Sequence, residues 1–179
     1  MKTVFFDIDS QLDFLYPAGA LYVPHAERIV PAIARLNRFA AAHGIPVVST
    51  VDAHAENDPE FSVWPPHCVA GTWGQHKAQA TLVDSASQII VEKQTVDVFL
   101  APNLGRVVEE LNADRYVVYG VVTEICVLYA VRGLLRTGKP VTVVVDAVAA
   151  LTAEASARAL EEVRAGGGTL ATVSEICRI

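Results

Sequence analysis

The sequence contains 179 residues, of which 52% are hydrophobic, and its 14 basic and 20 acidic side chains give a net charge of −6 at pH 7. A chain of this length can bury a sizeable core as one domain. The acidic balance leaves no basic surface for nucleic acid or for an anionic membrane, and no apolar run is long enough to span a bilayer. We therefore expect neither partner.

Two further features bear on the compartment. The three cysteines, Cys68, Cys126 and Cys177, cannot all pair and show no CxxC spacing, which is typical of reduced thiols rather than of a disulfide framework. Lys2, Thr3 and Val4 begin a strand pattern instead of a charged-then-apolar signal segment. These observations predict a cytoplasmic location.

Apolar runs typical of buried strands alternate with segments of helical periodicity along the chain. The predicted strands span 3–8, 46–51, 87–92, 115–122, 140–146 and 169–173. The predicted helices span 25–43, 104–111, 125–135 and 153–165. Since several strands are apolar throughout, we expect a parallel sheet covered on both faces. The pattern predicts an α/β fold with three layers, α/β/α, around a mostly parallel six-stranded sheet.

One long irregular region interrupts this alternation. Residues 52–85 are rich in His, Pro, Trp, Gly and Asp, and a loop of that length inside a compact domain is usually functional. The chain has no internal repeat and no obvious linker. We therefore expect a single domain over residues 1–179, with this region as a loop insertion.

Three residues with catalytic chemistry follow three separate predicted strands: Asp9, Lys93 and Cys126. The carboxyl ends of parallel strands lie at one edge of the sheet, so these side chains can converge. Asp9 could act as general base toward the thiol, while Lys93 could keep carboxylate and thiolate ionised. The helix that begins near Cys126 is expected to lower its pKa below the usual value of about 8.5. Taken singly, each residue also fits a structural role: a packed thiol, a loop carboxylate or a solvated amine.

Three segments resemble the motifs of a known family: Asp9–Phe14 (DSQLDF), Glu92–Lys93, and Gly120–Val127 (GVVTEICV). They are similar to those of the isochorismatase-like cysteine hydrolases, and within them of the nicotinamidase group, and the resemblance extends over nearly the whole chain. It implies a Rossmann-like strand order and a catalytic triad of Asp9, Lys93 and Cys126. It also implies a cis peptide bond between Val121 and Val122, and an oxyanion hole formed by the N–H groups of Val122 and Cys126.

The long loop contains the candidate metal ligands. Asp52 and His54 follow the second strand, and the string WPPHCVAGT at 64–72 resembles the metal-site loop of nicotinamidases. The resemblance implies that Asp52, His54 and His67 bind one divalent ion, with Zn²⁺ as the first candidate and Mn²⁺ or Fe²⁺ as alternatives, a ligand set that suits all three. In that group the ion polarises the pyridine nitrogen of the substrate or orients water.

Several positions depart from the nicotinamidase pattern. Ala53 stands where an aromatic residue is usual, and the loop at 94–99 lacks a ring-sandwiching tyrosine. No further histidine lies between the second and third ligands, which leaves open whether another side chain completes the metal site. Phe14 and Trp64 are the predicted substrate-binding walls, with a core role as the alternative for Phe14. Cys68 is expected to be packed rather than ligating.

The sequence thus predicts a nicotinamidase-like amidohydrolase that converts a small heteroaromatic amide to the acid and ammonia through a cysteine thioester. The isochorismatase branch lacks the cysteine, so Cys126 argues against vinyl-ether hydrolysis. One alternative is another small-amide or ureide hydrolase on the same fold, with a vestigial or structural metal site. A second is a thiol or metal sensor, which the pair of Asp9 and Lys93 disfavours because a sensor needs no proton shuttle. Homo-oligomerisation stays open.

Overall fold

The computed structural model describes residues 1–84 and 86–178, so Ser85 and Ile179, the ends of the predicted loop and domain ranges, lie outside the described residues. A six-stranded sheet with the order β3-β2-β1-β4-β5-β6 forms the centre of the molecule, and all its strand pairs are parallel. The strands are β1 (Thr3–Ile8), β2 (Val47–Asp52), β3 (Gln88–Lys93), β4 (Arg115–Val121), β5 (Val141–Ala149) and β6 (Thr169–Ala171). This confirms the predicted α/β fold and strand order, with a sheet that is wholly parallel.

Helices cover both faces of the sheet. They are α1 (Leu12–Leu15), α2 (Val30–Ala42), α3 (Leu104–Leu111), α4 (Leu128–Leu135), α5 (Ala153–Ala165) and α6 (Val173–Ile176). Successive β1 side chains point to opposite faces, so Phe6 packs in the core under α3, α4 and α5, while Phe5 packs in the core under α2. Among residues 1–84 and 86–178, no helix combines the length and the apolar character needed to cross a membrane.

Several predicted boundaries differ from the structure, among them the following three. The helix predicted from residue 25 begins as a 3₁₀ turn, Ala26–Ile29, before α2. Strand β5 runs to Ala149, three residues beyond its predicted end. The strand predicted over 169–173 ends at Ala171, because Thr172 and Glu175 form a capping box that starts α6.

The loop between β2 and β3 lies against the segment that follows β1. Backbone hydrogen bonds join Ala78 N–H to the Ser10 carbonyl (2.9 Å) and Leu12 N–H to the His76 carbonyl (2.9 Å). Since Asp9 directly precedes Ser10, this loop is attached to the chain on the carboxyl side of a predicted catalytic residue. The strand order changes direction between β1 and β4, and this switch point leaves a crevice at the same edge of the sheet. Open α/β sheets bind their ligands in such crevices.

Candidate active site

The three predicted catalytic side chains converge at the carboxyl edge of the sheet. Asp9 follows β1, Lys93 ends β3, and Cys126 lies in a π-helical turn, Thr123–Val127, between β4 and α4. The Lys93 ammonium nitrogen lies 2.9 Å from Asp9 Oδ2 and 3.7 Å from Cys126 Sγ, and all three side chains are buried. The structure therefore brings together a carboxylate, an ammonium and a thiol that are separated by up to 117 positions.

Thr50, which sequence reasoning missed, holds the Asp9 carboxylate from β2. Its hydroxyl donates a 2.6 Å hydrogen bond to Asp9 Oδ1, while the Asp9 N–H points back to the Thr50 carbonyl at 3.1 Å. Asp9 itself has a left-handed φ of +50°, which turns the chain away from the sheet at this residue. One carboxylate oxygen thus faces Thr50 and the other faces Lys93.

The Lys93 ammonium also contacts Asp52 Oδ1, so two carboxylates and a thiol share one buried cation. Burial alone would lower the pKa of Lys93, but Asp9, Cys126 and Asp52 raise it well above its ordinary value. Burial raises the pKa of Asp9 despite the opposing effects of Lys93 and Thr50. Burial acts in the same direction on Asp52, yet the nearby Lys93 charge and a contact with His54 leave its pKa lowered. Asp9 is therefore the carboxylate better suited to take up a proton.

The predicted low pKa of the Cys126 thiol is wrong for this structure. Burial raises the pKa of Cys126 well above its ordinary value, with Lys93 opposing the shift and Asp9 and Asp52 reinforcing it. Burial is the largest of these effects, because a thiolate loses its hydration when it is buried. The raised pKa favours the neutral thiol, with the Asp9 carboxylate as the adjacent proton acceptor.

The three predicted metal ligands also lie together. Asp52 Oδ2 is 3.8 Å from Nε2 of His54 and 3.8 Å from Nε2 of His67, and all three residues are buried. Two ligand atoms, each about 2.1 Å from a tetrahedral Zn²⁺, lie about 3.4 Å apart. The observed distances between ligand atoms are therefore close to those expected for atoms that bind one ion between them.

The Nδ1 atom of each histidine ring contacts a neighbouring oxygen, and this contact orients the ring so that its Nε2 atom faces Asp52. His67 Nδ1 lies 2.8 Å from the Pro65 carbonyl, and His54 Nδ1 lies 3.1 Å from Asp58 Oδ2. Neither nitrogen of the fully buried His54 makes a hydrogen bond of good geometry within the described chain. Metal-binding histidines characteristically donate their other N–H to a carbonyl or carboxylate, which leaves Nε2 free to bind an ion. The donor set therefore fits a divalent metal.

Two further residues at this site were not assigned by the sequence. The Gln11 amide accepts from Asp52 N–H (2.7 Å) and donates to the Asp52 carbonyl (2.8 Å), so it pairs with the β2 backbone where β1 has already turned away. Glu60 lines the same cleft and, with His54 and Asp58, forms a second group whose ligand atoms lie within 4.8 Å of one another. Glu60 thus lies beside the candidate metal site and shares His54 with it. A lone Gln or Glu carries no such signal in the sequence.

A cleft of about 460 Å³, part of it open to solvent, leads to Cys126. Phe14 and Trp64 both line it, and the Phe14 ring is also buried against the His67 ring at a centroid distance of 5.5 Å, so its cleft and core roles coexist. The Val121–Val122 peptide bond is cis, as the resemblance implied, and Val122 lines the cleft beside Cys126.

The other cysteines stand apart from this chemistry. Cys68 is fully buried; burial raises the pKa of its thiol, and its N–H donates to Asp13 Oδ2 (2.7 Å). Cys177 is half-buried near the end of α6 and does not line the cleft. The site therefore combines one thiol with an adjacent base, a cation and a metal-type donor set, which suits nucleophilic attack on a bound carbonyl.

The chain is similar in sequence and in structure to several known proteins. Residues 3–175 match the family model of the isochorismatase domain. Over 174 residues the chain is 30% identical to the nicotinamidase/pyrazinamidase of Mycobacterium tuberculosis, covering 88% of this chain and 91% of that protein. The structure of Pyrococcus horikoshii pyrazinamidase in complex with zinc has a TM-score of 0.90 and 28% identity, covering 96% of this chain and 99% of the other. N-carbamoylsarcosine amidase from Thermoplasma acidophilum has a TM-score of 0.85 and 25% identity, with 97% of each chain covered.

Proposed function

The chain belongs to the isochorismatase family, and on that premise we propose that it hydrolyses nicotinamide, or a related heteroaromatic carboxamide, to the acid and ammonia through a thioester on Cys126. The observation that carries the proposal is the meeting of Asp9, Lys93 and Cys126 beside a cleft that is also lined by two of the three metal-type ligands, Asp52 and His67. The region around 52–85 would act as the metal-bearing loop of a single domain.

In the proposed reaction, Asp9 accepts the Cys126 proton as Sγ attacks the amide carbon. The Lys93 ammonium stabilises the carboxylate and the developing thiolate, both of which it contacts. The N–H groups of Val122 and Cys126 receive the oxyanion. Asp9 then returns the proton to the departing ammonia. In the second step a water molecule gives a proton to Asp9 as its oxygen attacks the thioester carbon, and Asp9 passes that proton to Cys126 Sγ as the C–S bond breaks and the acid leaves.

A divalent ion held by Asp52, His54 and His67 would supply a Lewis acid for the ring nitrogen of the substrate or for water. Asp52 has one oxygen toward Lys93 and the other toward the two histidines, so it connects the metal ligands with the triad. Asp58 would orient His54, and Glu60 would complete the ligand set. The pyrazinamidase of Pyrococcus horikoshii, which binds zinc, supports Zn²⁺ as the first candidate.

The charges around the cleft favour a neutral, flat substrate. Its lining combines the carboxylates of Asp9, Asp52 and Glu60 with apolar side chains, and Trp64 offers a ring wall. Within the described residues, no Lys or Arg side chain lines this cleft, and the buried Lys93 ammonium is already shared by its three partners. A carboxylate-bearing ureide would therefore meet negative charge without a Lys or Arg side chain to pair its carboxylate, which disfavours the carbamoyl-amide alternative.

The test is ammonia release by the metal-loaded protein from nicotinamide, pyrazinamide and N-carbamoylsarcosine. We expect turnover of the two ring amides and little of the ureide. Cys126→Ala should reduce kcat by about a thousandfold or more, since it removes the nucleophile, while Cys177→Ser, outside the cleft, serves as the matched control. More than a few per cent residual activity in Cys126→Ala would exclude the covalent mechanism, and preference for the ureide would favour the alternative.

A further inference from the structure

A second buried ion pair lies beneath the active site, and the proposed mechanism does not use it. The Lys77 ammonium contacts Asp7 Oδ2 and Ser10 Oγ, and it donates to Thr81 Oγ1 at 2.9 Å. Asn37 Nδ2 donates to the same Asp7 oxygen at 2.7 Å. Asp7 is 0% exposed and Lys77 is 9% exposed, so the pair is almost completely removed from water.

Stability alone is a weak reason for such a pair. Removing two charges from water costs several kcal/mol per ion, and apolar residues of similar volume often serve a core equally well or better. Here the second Asp7 oxygen, Oδ1, is buried without a hydrogen-bond partner in the described chain, so the arrangement is not fully compensated. The contacts of Lys77 therefore call for a role other than filling the core.

The residues that Lys77 contacts lie on both sides of the catalytic base in the sequence. Asp7 lies two residues before Asp9 and Ser10 one residue after it, and Lys77 binds the side chains of both. The Ser10 carbonyl also accepts the Ala78 N–H at 2.9 Å. Asp9 has a left-handed backbone, a conformation that a non-glycine residue keeps only where its surroundings enforce it. Lys77 thus fastens the chain on each side of that turn.

Lys77 also reaches this position from the loop that carries the metal-type ligands. It lies ten positions after His67, and residues 76–78 bond to the backbone of residues 10–12. The ion pair is therefore a direct connection between that loop and the turn at Asp9.

We propose that Lys77 is a positioning residue: its ammonium, anchored on Asp7, holds Ser10 and thereby the turn that aims the Asp9 carboxylate at Cys126. The proposal rests on the amidase function, since its main readout is turnover. Lys77 itself is not among the residues that line the cleft. Its loss should change the rate of the chemical step more than the binding of the substrate.

The experiment compares Lys77→Met, the charge-free pair Asp7→Leu/Lys77→Met, and Ser10→Ala, with Lys139→Met as an exposed lysine control. Each holoprotein is assayed for Tm, for kcat and KM with nicotinamide, and for the rate of Cys126 alkylation by iodoacetamide at one pH. We expect Lys77→Met to lower Tm and to reduce kcat at least tenfold, with KM within threefold. The charge-free pair should recover most of the Tm, because no unpaired charge remains buried, yet kcat should stay at least tenfold low.

Alkylation supplies a readout that does not depend on the substrate. Asp9 beside the thiol disfavours the thiolate, so a displaced Asp9 should let Cys126 react faster, toward the rate of Asp9→Asn. If wild-type protein fails to turn over nicotinamide, the proposed function fails, while faster alkylation of the charge-free pair would still support positioning.

Recovery of Tm, kcat and wild-type alkylation together in the charge-free pair would overturn the proposal and leave Lys77 a structural role only. Should the Lys77 variants fail to fold, Ser10→Ala decides, since it removes only the hydroxyl that Lys77 holds. A several-fold lower kcat at nearly unchanged Tm would then support positioning, and an unchanged kcat would refute it.

Discussion

Replacing Thr50 by valine removes the hydroxyl that holds the proposed catalytic base. Valine has nearly the shape of threonine, so Thr50→Val leaves the β2 backbone contacts with Asp9 in place. What is lost is the 2.6 Å bond from the Thr50 hydroxyl to Asp9 Oδ1 and the longer bond, 3.2 Å, that the same hydroxyl accepts from the Asp9 N–H. The site is fully buried, so water cannot replace the hydroxyl. The Asp9 carboxylate then keeps Lys93 as its remaining charged partner.

The magnitude follows from the charge on the acceptor. A hydrogen bond to a charged group contributes about 1.5–3 kcal/mol. If Asp9 needs this bond in the transition state, kcat falls about 10- to 150-fold, because each 1.36 kcal/mol changes the rate tenfold. The Thr50 hydrogen bond also lowers the pKa of Asp9, which burial raises. Without it that pKa rises further, so Asp9 becomes protonated and inactive at a higher pH.

The assay is the pH profile of kcat/KM for nicotinamide, measured for wild type, Thr50→Val and Thr50→Ser. We expect the acidic limb of Thr50→Val to move to higher pH and Thr50→Ser, which keeps the hydroxyl, to stay near wild type. Thr142→Val, which removes a strand hydroxyl remote from the cleft, is the matched control. An unshifted acidic limb with kcat within threefold of wild type would refute the role assigned to Thr50.

Two other predictions concern the thiol and the metal. Because burial raises the pKa of Cys126, its alkylation in substrate-free protein should increase with pH through about 8.5 and beyond, and Lys93→Ala should shift the curve to still higher pH. A plateau already reached by pH 7, located on the Cys126 peptide by mass mapping, would contradict this. Purified protein should hold one divalent ion per chain, His54→Ala should lose it, and Asp58→Asn should weaken its affinity about 10- to 100-fold, as measured by metal analysis during chelator titration. His76→Ala, which changes an exposed histidine, is the control. A wild-type metal content in His54→Ala would refute the proposed metal site.

Local signals in the sequence were enough to predict the architecture. Buried parallel strands leave continuous apolar runs, and helices leave a 3.6-residue period, so element types and the covered sheet followed from short-range patterns. One local signal was overlooked: Thr172 and Glu175 have capping-box spacing, which should have ended the last strand at Ala171.

The sequence also determined which strand ends would carry chemistry. Asp9, Lys93 and Cys126 could be grouped in advance because every parallel strand delivers its carboxyl end to the same edge. The order of strands and helices along the chain was therefore enough to predict that these three residues lie together, without knowledge of any interatomic distance. The same holds for Asp52, which ends β2 beside them.

Only the tertiary structure decided how these groups are held and charged. Thr50, Gln11 and Lys77 have no sequence signal, because their partners lie 41 to 70 positions away and are selected by strand register and loop docking. The direction of the Cys126 pKa shift also could not be predicted from helix position. It depends on how completely water is excluded around the thiol, and that exclusion is produced by the packing of the whole chain.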